Sequence, residues 1–221
     1  MIVQLQEPDT KKECEKSSSM NISFIVPVLN AEETIAACIE SIKKQTVKGD
    51  EIIVVDNGSV DDTQHIVQNL IDEIVLVYPE ITIGSLRNRG ADKAKNEILA
   101  FIDSDCILCD GWRDSVIEIF ENTTACATGS SCMISDNAPW VERAWKPERP
   151  VEKKETDFIA SANFIVRKDS FQKIGGFNEV LTTDEDSNIC YKLKQHGFRL
   201  IESPGTKVIH LGNPKTISQF I

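Results

Sequence analysis

The chain has 221 residues, of which 41% are hydrophobic and 27% are charged, and its formal net charge is −11. This length suits one globular domain. The acidic balance argues against a nucleic-acid partner, because phosphate binding needs clustered lysine and arginine. The seven cysteines form no disulfide pattern and are expected to be reduced, buried thiols. Neither a membrane-spanning run nor a signal peptide is found in the sequence, which predicts a soluble, cytoplasmic protein.

The chain opens with a polar stretch and then becomes strongly periodic. Residues 1–20 show little periodicity and end close to three serines, which predicts a flexible extension. The ordered domain is expected over residues 21–221. It begins with ISFIVPV, a β-branched apolar strand. A helix is predicted over residues 30–45, where apolar side chains recur at helical spacing.

A second strand and helix repeat this plan. EIIVVD reads as the strand and VDDTQHIVQNL as the helix, with Ser59 as its predicted N-cap. The first helix has a predicted capping box formed by Asn30 and Glu33. The repetition indicates strands that alternate with helices.

Two more strands complete the first half of the chain. EIVLVY is the third predicted strand, SLRNRGADKAKN the third helix and EILAFID the fourth strand. Near-continuously apolar strands that alternate with helices predict an α/β fold with a parallel, Rossmann-like sheet covered on both faces. Ligands of such sheets bind beyond the carboxyl ends of the strands. Asp56 and Asp103 close the second and fourth strands, so both are expected at that edge.

The second half of the chain is less regular. Residues 135–156 are rich in proline and charge and predict a long loop, of the kind that often forms a lid or a binding loop. Trp140 and Trp145 in that loop either stack on a sugar or pack the loop down. The remaining predicted elements are helices over WRDSVIEIFEN and DEDSNICYKLKQH, a short helix ending at the Gly175–Gly176 pair, and strands over ACATGSSCMI, FIVRK, FRLIES and KVIHL.

The segment FIDSDC places two carboxylates directly after an apolar strand. Asp103 and Asp105 repel each other unless a cation or a set of donors offsets their charge. Oxygen ligands of this kind suit Mn²⁺ or Mg²⁺. The nearby CxxC formed by Cys106 and Cys109 has no second pair at zinc spacing, which argues against a structural zinc site. On the residues alone, a turn that caps the strand is as good an account.

Several stretches in order resemble glycosyltransferase family 2, the inverting enzymes with a GT-A fold. The resemblance runs from about residue 21 to the C-terminus. It is carried by FIVPVLNAEETIAACIESIKKQ, EIIVVDNGSVDDT, GSLRNRGADKAKNEILAFIDSDC, GGF, TDEDSNICYKLKQHG and VIHLG. It implies a single GT-A domain, with a nucleotide-binding half over about residues 21–106. A smaller, mixed acceptor half would follow over about residues 107–221.

The resemblance gives the DSD segment a role. A divalent cation, Mn²⁺ or Mg²⁺, would be held against the donor diphosphate by Asp105 and by His210. Asp103 and Ser104 would face the nucleotide. A metal at this place would neutralise the charge that develops on the leaving group. For His210, which follows two apolar residues, a satisfied core histidine is the alternative.

The other nucleotide contacts are implied in the same way. Asp56 matches the family position that accepts a hydrogen bond from the base, and Pro27 and Glu32 match the segment that lines the base. Arg87 matches an arginine near the diphosphate. An Asx turn is the alternative for Asp56, since Asp-Asn-Gly-Ser is favourable turn chemistry. An exposed helical arginine is the alternative for Arg87.

A second carboxylate cluster, TDED, matches the family's acidic pair. The resemblance makes Asp186 the general base that removes the proton of the acceptor hydroxyl, with Glu185 beside it in the substrate site. The alternative is a charged helix start, because carboxylates are favoured at a helix N-terminus.

The function implied is metal-dependent, inverting transfer of a sugar from a nucleotide-sugar donor, expected to be UDP-linked, to a hydroxyl acceptor. The acceptor would be a glycan or a lipid-linked saccharide, which would place the protein at the inner face of the membrane. The alternative is a catalytically silent nucleotide-sugar-binding domain or a truncated transferase, because family members commonly continue beyond the VIHLG segment. A nicotinamide-dependent dehydrogenase is disfavoured, since no GxGxxG follows a predicted strand.

Overall fold

The computed structural model describes residues 20–71, 74–77, 81–134, 138–144 and 152–212. Within these ranges the helices are α1 (Ile35–Gln45), α2 (Thr63–Gln68), α3 (Ile83–Lys93), α4 (Trp112–Asn122), α5 (Trp140–Ala144), α6 (Lys168–Lys173) and α7 (Glu185–Gln195). The strands are β1 (Ile22–Val28), β2 (Glu51–Asp56), β3 (Ile74–Leu76), β4 (Ile98–Ile102), β5 (Cys106–Leu108), β6 (Ala125–Gly129), β7 (Lys154–Thr156), β8 (Asn163–Arg167), β9 (Arg199–Glu202) and β10 (Val208–His210). None of the described helices is long and apolar enough to cross a bilayer.

The main sheet has eight strands in the order β3-β2-β1-β4-β8-β6-β9-β7. The first four are all parallel. Beyond β4 the pairing is mixed, because β8 is antiparallel to both β4 and β6, while β9 runs parallel to β6. The carboxyl ends of β6 and β9 therefore point to the same edge as those of β1, β2 and β4. A parallel half and a mixed half agree with the predicted architecture.

Each face of the sheet carries its own hydrophobic core. Along β1, Phe24 and Val26 belong to one buried cluster and Ile25 to the other, as the alternation of side chains in a strand requires. Helix α1 covers the first face with Cys38, Ile39 and other side chains at helical spacing. Because both faces of β1 are covered, its sequence is apolar except for the buried Ser23.

Both predicted helix caps are wrong. Helix α1 begins at Ile35 after Thr34, and the side chain of Asn30 instead accepts a hydrogen bond from the backbone N–H of Val60, at 2.9 Å. The Ser59 hydroxyl accepts from the backbone N–H of Asn30, also at 2.9 Å, while α2 begins at Thr63. These polar residues join the loops after β1 and β2 to each other, and so they do not cap their own helices.

The second half differs from prediction in three places. The strand predicted over ACATGSSCMI ends at Gly129, and the stretch predicted as a loop contains α5 and the short strand β7. The predicted closing strand KVIHL does not join the main sheet. As β10 it pairs antiparallel with β5, which the sequence did not suggest, in a separate two-stranded sheet. Trp140 on α5 is 63% exposed, whereas Trp145 and the predicted extension over residues 1–19 lie outside the described residues.

Candidate active site

The carboxylates predicted at the sheet edge lie beside a pocket of about 350 Å³. Strand β4 ends at Ile102 and is followed at once by Asp103, Ser104 and Asp105, at the carboxyl edge of the parallel strands. The pocket is lined by Pro27, Val28, Leu29, Asn57, Ile81, Ile83, Leu86, Asp103, Ser104 and Asp105. The apolar walls suit a flat base, and the two carboxylates at one end suit a cation bound beside it.

A second pocket of about 360 Å³ adjoins the first. It is lined by Leu29, Asn30, Ala31, Glu32, Glu33, Thr34, Asp61, Ser104, Asp105 and Gly212. The two pockets share Leu29, Ser104 and Asp105, so they form one continuous cleft. Glu32 lies in the second pocket and Pro27 in the first, which separates these two predicted base-lining residues along the cleft.

Strand β10 brings His210 to Asp105. In the β5–β10 pairing His210 is opposite Cys106, and the backbone N–H of Leu211 donates to the carbonyl oxygen of Asp105 at 2.8 Å. Asp105 Oδ2 and His210 Nε2 are 3.4 Å apart, and both side chains are about three-quarters buried. Burial and the nearby Asp103 raise the pKa of Asp105, although His210 acts in the opposite direction. A bound cation would offset the cost of burial and the repulsion from Asp103.

The donor set at this place fits a divalent metal ion. Asp105, Cys106 and His210 each offer a ligand atom, and these atoms all lie within 4.8 Å of one another. Carboxylate ligands suit Mn²⁺ or Mg²⁺, whereas imidazole suits transition metals such as zinc and iron. Burial of the Asp105 carboxylate without a matching cation is costly, which is a physical reason for an ion here.

A buried arginine connects this turn with the second carboxylate cluster. Arg87, on α3, donates from Nη2 to Asp103 Oδ1 at 2.7 Å and from Nη1 to Glu185 Oε1 at 2.8 Å. Its side chain is only 2% exposed and stacks near the Phe177 ring, 5.5 Å from the centroid. The alternative of an exposed helical arginine is therefore wrong. Contact of Arg87 with a diphosphate stays a prediction, since both terminal nitrogens already bind carboxylates.

The same contacts fix the start of α7. Glu185 Oε1 also accepts from the Ser161 hydroxyl at 2.9 Å. Burial alone would raise the pKa of Glu185, but its backbone N–H, Ser161 and Arg87 together lower it. Asp186, the next residue, is partly exposed and accepts from the backbone N–H of Ser187 at 2.7 Å. Glu185 is thus anchored at the site, while the adjacent Asp186 is not engaged by Arg87.

Asp56 is 1% exposed and forms the Asx turn considered above. Its Oδ1 accepts from the backbone N–H groups of Gly58 and Ser59 at 2.8 Å and from Gln64 Nε2 at 3.1 Å. Its Oδ2 is buried and has no hydrogen-bond partner among the described residues. A buried acceptor without a partner costs stability, so the turn accounts for one oxygen and leaves the other for a ligand.

Three residues at the site were missed by the sequence reasoning. Asn57 lines the first pocket and exchanges hydrogen bonds of 3.2 Å with the backbone of Ile81. Ser161 holds Glu185, and Cys106 faces Asp105 and His210. The turn sequence around Asn57 and the CxxC containing Cys106 were visible signals, whereas nothing in the sequence pointed to Ser161.

Comparisons with known sequences match the chain to one protein family. The family model described as Glycosyl transferase family 2 matches residues 23–175. The glycosyltransferase AglE of Haloferax volcanii is 26% identical over 191 residues, which cover 81% of this chain and 63% of that protein.

Solved structures show the fold. The chain superposes with a TM-score of 0.71 and 19% identity on S. aureus TarS 1–349 in complex with UDP-GlcNAc, covering 86% of this chain and 57% of that one. The mannosyltransferase PcManGT of Pyrobaculum calidifontis, in complex with GDP-Man and Mn²⁺, gives 0.71 and 19%, covering 90% and 59%. These likenesses confirm the predicted α/β fold of the GT-A type. The chain spans less than two thirds of the length of each of these proteins.

Proposed function

The chain belongs to glycosyltransferase family 2, and from that premise we propose that it transfers a sugar from a UDP-linked donor to a hydroxyl acceptor. The acceptor would be a glycan or a lipid-linked saccharide. The transfer would depend on a divalent metal and invert the configuration at the anomeric carbon. With a lipid-linked acceptor, the reaction would take place at the inner, cytoplasmic face of the membrane.

One observation carries the proposal: two carboxylate clusters that are far apart in sequence are joined by one buried arginine. Arg87 joins Asp103 of the DSD turn to Glu185 at the start of α7, through hydrogen bonds of 2.7 and 2.8 Å. Direct displacement at an anomeric carbon needs charge neutralisation at the leaving group and a base for the attacking hydroxyl. The first cluster would serve the leaving group, and Asp186 beside the second would serve the hydroxyl.

Separate residues of the chain would bind the metal, the base and the rest of the nucleotide. Asp105 and His210 would hold Mn²⁺ or Mg²⁺, which would neutralise the diphosphate as it leaves. Asp56 Oδ2 would accept the N–H of the uracil, with Pro27 in the wall of the base pocket. Asp103 and Ser104 would face the nucleotide from the DSD turn. Support for the donor class comes from TarS and PcManGT, whose structures hold UDP-GlcNAc and GDP-Man with Mn²⁺ respectively.

Asp186 would act as the general base. It lies one residue after the anchored Glu185, and its partly exposed carboxylate could reach a hydroxyl that enters from solvent. Such a base removes the proton while the oxygen attacks, and it needs no covalent intermediate. Because the hydroxyl would displace the nucleotide in a single step, the configuration at the anomeric carbon would be inverted.

A panel of nucleotides tests donor and metal together. UDP or a UDP-sugar should raise the melting temperature with Mn²⁺ present and much less with a chelator, because a ligand that binds only the folded state stabilises it. GDP-Man and CDP serve as comparison nucleotides. In Asp105→Asn, the metal-dependent part of the rise in melting temperature should be lost. The release of UDP in the presence of an acceptor mixture should be lost with it. Equal shifts with and without metal would contradict the proposed metal position.

Donor binding without transfer is the second candidate, because among the described contacts Arg87 and Ser161 hold Glu185 and not Asp186, the proposed base. The same assay separates the two. Donor binding with slow hydrolysis, unaffected by any acceptor in the mixture, would favour the binding role. Acceptor-dependent release of UDP would favour the transferase.

A further inference from the structure

Cys106 lies on the same face of the small sheet as His210. The β5–β10 register places these two residues directly opposite each other, and Asp105 comes immediately before Cys106. The Cys106 sulfur is 3.9 Å from Asp105 Oδ1, and Asp105 Oδ2 is 3.4 Å from His210 Nε2. The ligand atoms of all three residues lie within 4.8 Å of one another.

These separations are close to those of a tetrahedral zinc site. With Zn–N and Zn–O bonds near 2.0 Å and a Zn–S bond near 2.3 Å, neighbouring ligand atoms lie about 3.3–3.8 Å apart. The 3.4 Å between Asp105 and His210 is already in this range. The 3.9 Å between the Cys106 sulfur and Asp105 Oδ1, the other oxygen of the carboxylate, is above this range.

A packed core thiol is the competing account of Cys106, which is fully buried in the hydrophobic cluster that also contains Val208. Free cysteine often packs as a small hydrophobic residue. Packing explains the burial of the side chain, but it does not explain why the sulfur lies within 4.8 Å of a carboxylate oxygen and an imidazole nitrogen. A thiol that only fills space would be surrounded by apolar side chains, whereas Cys106 lies beside two other possible metal ligands.

Given the metal position proposed above, we infer that Cys106 is a third protein ligand there and that the site binds Zn²⁺ more tightly than Mn²⁺ or Mg²⁺. Thiolate is a soft ligand that favours zinc, and imidazole suits zinc as well. Nitrogen and oxygen ligands already bind Zn²⁺ more tightly than Mn²⁺, and the thiolate would widen that difference. When the Zn–S bond forms, the thiol proton leaves to solvent, and no electron is transferred.

Cobalt(II) reports the sulfur bond directly, without turnover. The full-length protein is titrated with Co²⁺, with and without UDP, and the near-ultraviolet spectrum is examined for the charge-transfer band of a cobalt–thiolate bond. The band should appear in the wild type and in Cys126→Ser, whose thiol is buried in the cluster on the other face of the sheet. It should be absent from Cys106→Ser. If the wild type binds Co²⁺ without the band, Cys106 is not a ligand, whatever its variants do.

Calorimetry then measures the metal preference. The ratio of Zn²⁺ affinity to Mn²⁺ affinity should be at least about tenfold larger in the wild type than in Cys106→Ser, whose Mn²⁺ affinity should change little. Retention of Mn²⁺ binding also shows that the variant is folded. An unchanged ratio in Cys106→Ser overturns the inference but leaves the proposed transferase intact. Failure of every metal to bind, with or without UDP, overturns the metal position itself.

Discussion

The two halves of the main sheet build the site in different ways. In the half made of β1 to β4, each strand is parallel to its neighbour, so Asp56 and Asp103 reach one edge simply because their strands end there. In the half made of β6 to β9, the pairing is mixed, and the site residues from this later part of the chain are placed by contacts distant in sequence. His210 lies outside the main sheet and is placed by the pairing of β10 with β5, and Glu185, on α7, is placed by Arg87.

This difference decides what could be predicted from the sequence. Strand-ending carboxylates follow from apolar periodicity and one topological rule. The parallel sheet and the place of Asp56 and Asp103 were therefore accessible from the chain alone. The separate sheet formed by β5 and β10 was not, because each strand has three residues and too little periodicity to reveal its partner.

Side-chain partners show the same limit on a smaller scale. Asn30 and Ser59 have the residue types of helix caps, yet they bond to the neighbouring loop 29 or 30 residues away. Arg87 resembles a surface helix residue in the sequence, but its partners are 16 and 98 residues away. Local patterns predict which groups need partners. They do not predict which distant residue supplies the partner.

If the first half of the chain binds the donor and the second half serves the acceptor, Asp186→Asn should lower the rate of transfer without lowering donor affinity. This variant lies in the second half and should keep donor affinity and metal dependence, because the base contacts the acceptor. Transfer should fall by about 10²–10⁴-fold, the usual contribution of a positioned base. Nucleotide release with an acceptor mixture and donor titration measure the two properties.

Asp184→Asn is the matched control for Asp186. Asp184 is exposed at the N-cap of α7 with φ of 60°, a conformation that asparagine tolerates well. It changes the same charge on the same segment without the proposed catalytic role, so transfer should stay near the wild-type rate. Should Asp186→Asn also transfer at that rate, the cluster is only a charged helix start.

Arg87 joins the halves, and Arg87→Met tests how strongly. The substitution removes a cation that is 2% exposed and leaves Asp103 and Glu185 without it. Breaking a buried pair in this way typically destabilises by about 3–5 kcal/mol, which chemical denaturation would measure. The triple variant that adds Asp103→Asn and Glu185→Gln to Arg87→Met should recover part of the loss, because it removes the uncompensated charges. A loss below about 1 kcal/mol would mean that packing alone joins the halves.

Asp56 tests the first half by itself. Asp56→Asn keeps Oδ1 as the acceptor of its turn hydrogen bonds and turns Oδ2, which lacks a partner among the described residues, into an N–H donor. UDP affinity should fall about tenfold or more, since one hydrogen bond to a charged group is lost. CDP, whose base has an acceptor nitrogen in place of that ring N–H, should not lose affinity and should bind Asp56→Asn at least as well as the wild type. Unchanged UDP affinity by calorimetry would make Asp56 a turn residue only.

Acid titration gives the smallest effect and examines the contact between the halves without removing it. Burial raises the pKa of Glu185, but hydrogen bonds from its own backbone N–H, Ser161 and Arg87 outweigh burial and hold the pKa below its ordinary value of 4.5. A carboxylate with a lowered folded-state pKa stabilises the protein above its unfolded-state pKa, and that stabilisation is lost as the pH falls through the folded-state value. The free energy of unfolding of the wild type should therefore decrease on acidification below about pH 4.5.

In Glu185→Gln the same curve should be flatter, whereas Glu179→Gln, an exposed acid, should follow the wild type. Parallel curves for all three proteins would show that Glu185 has the same pKa folded and unfolded, and that its contacts with Arg87 and Ser161 do not favour the charged form.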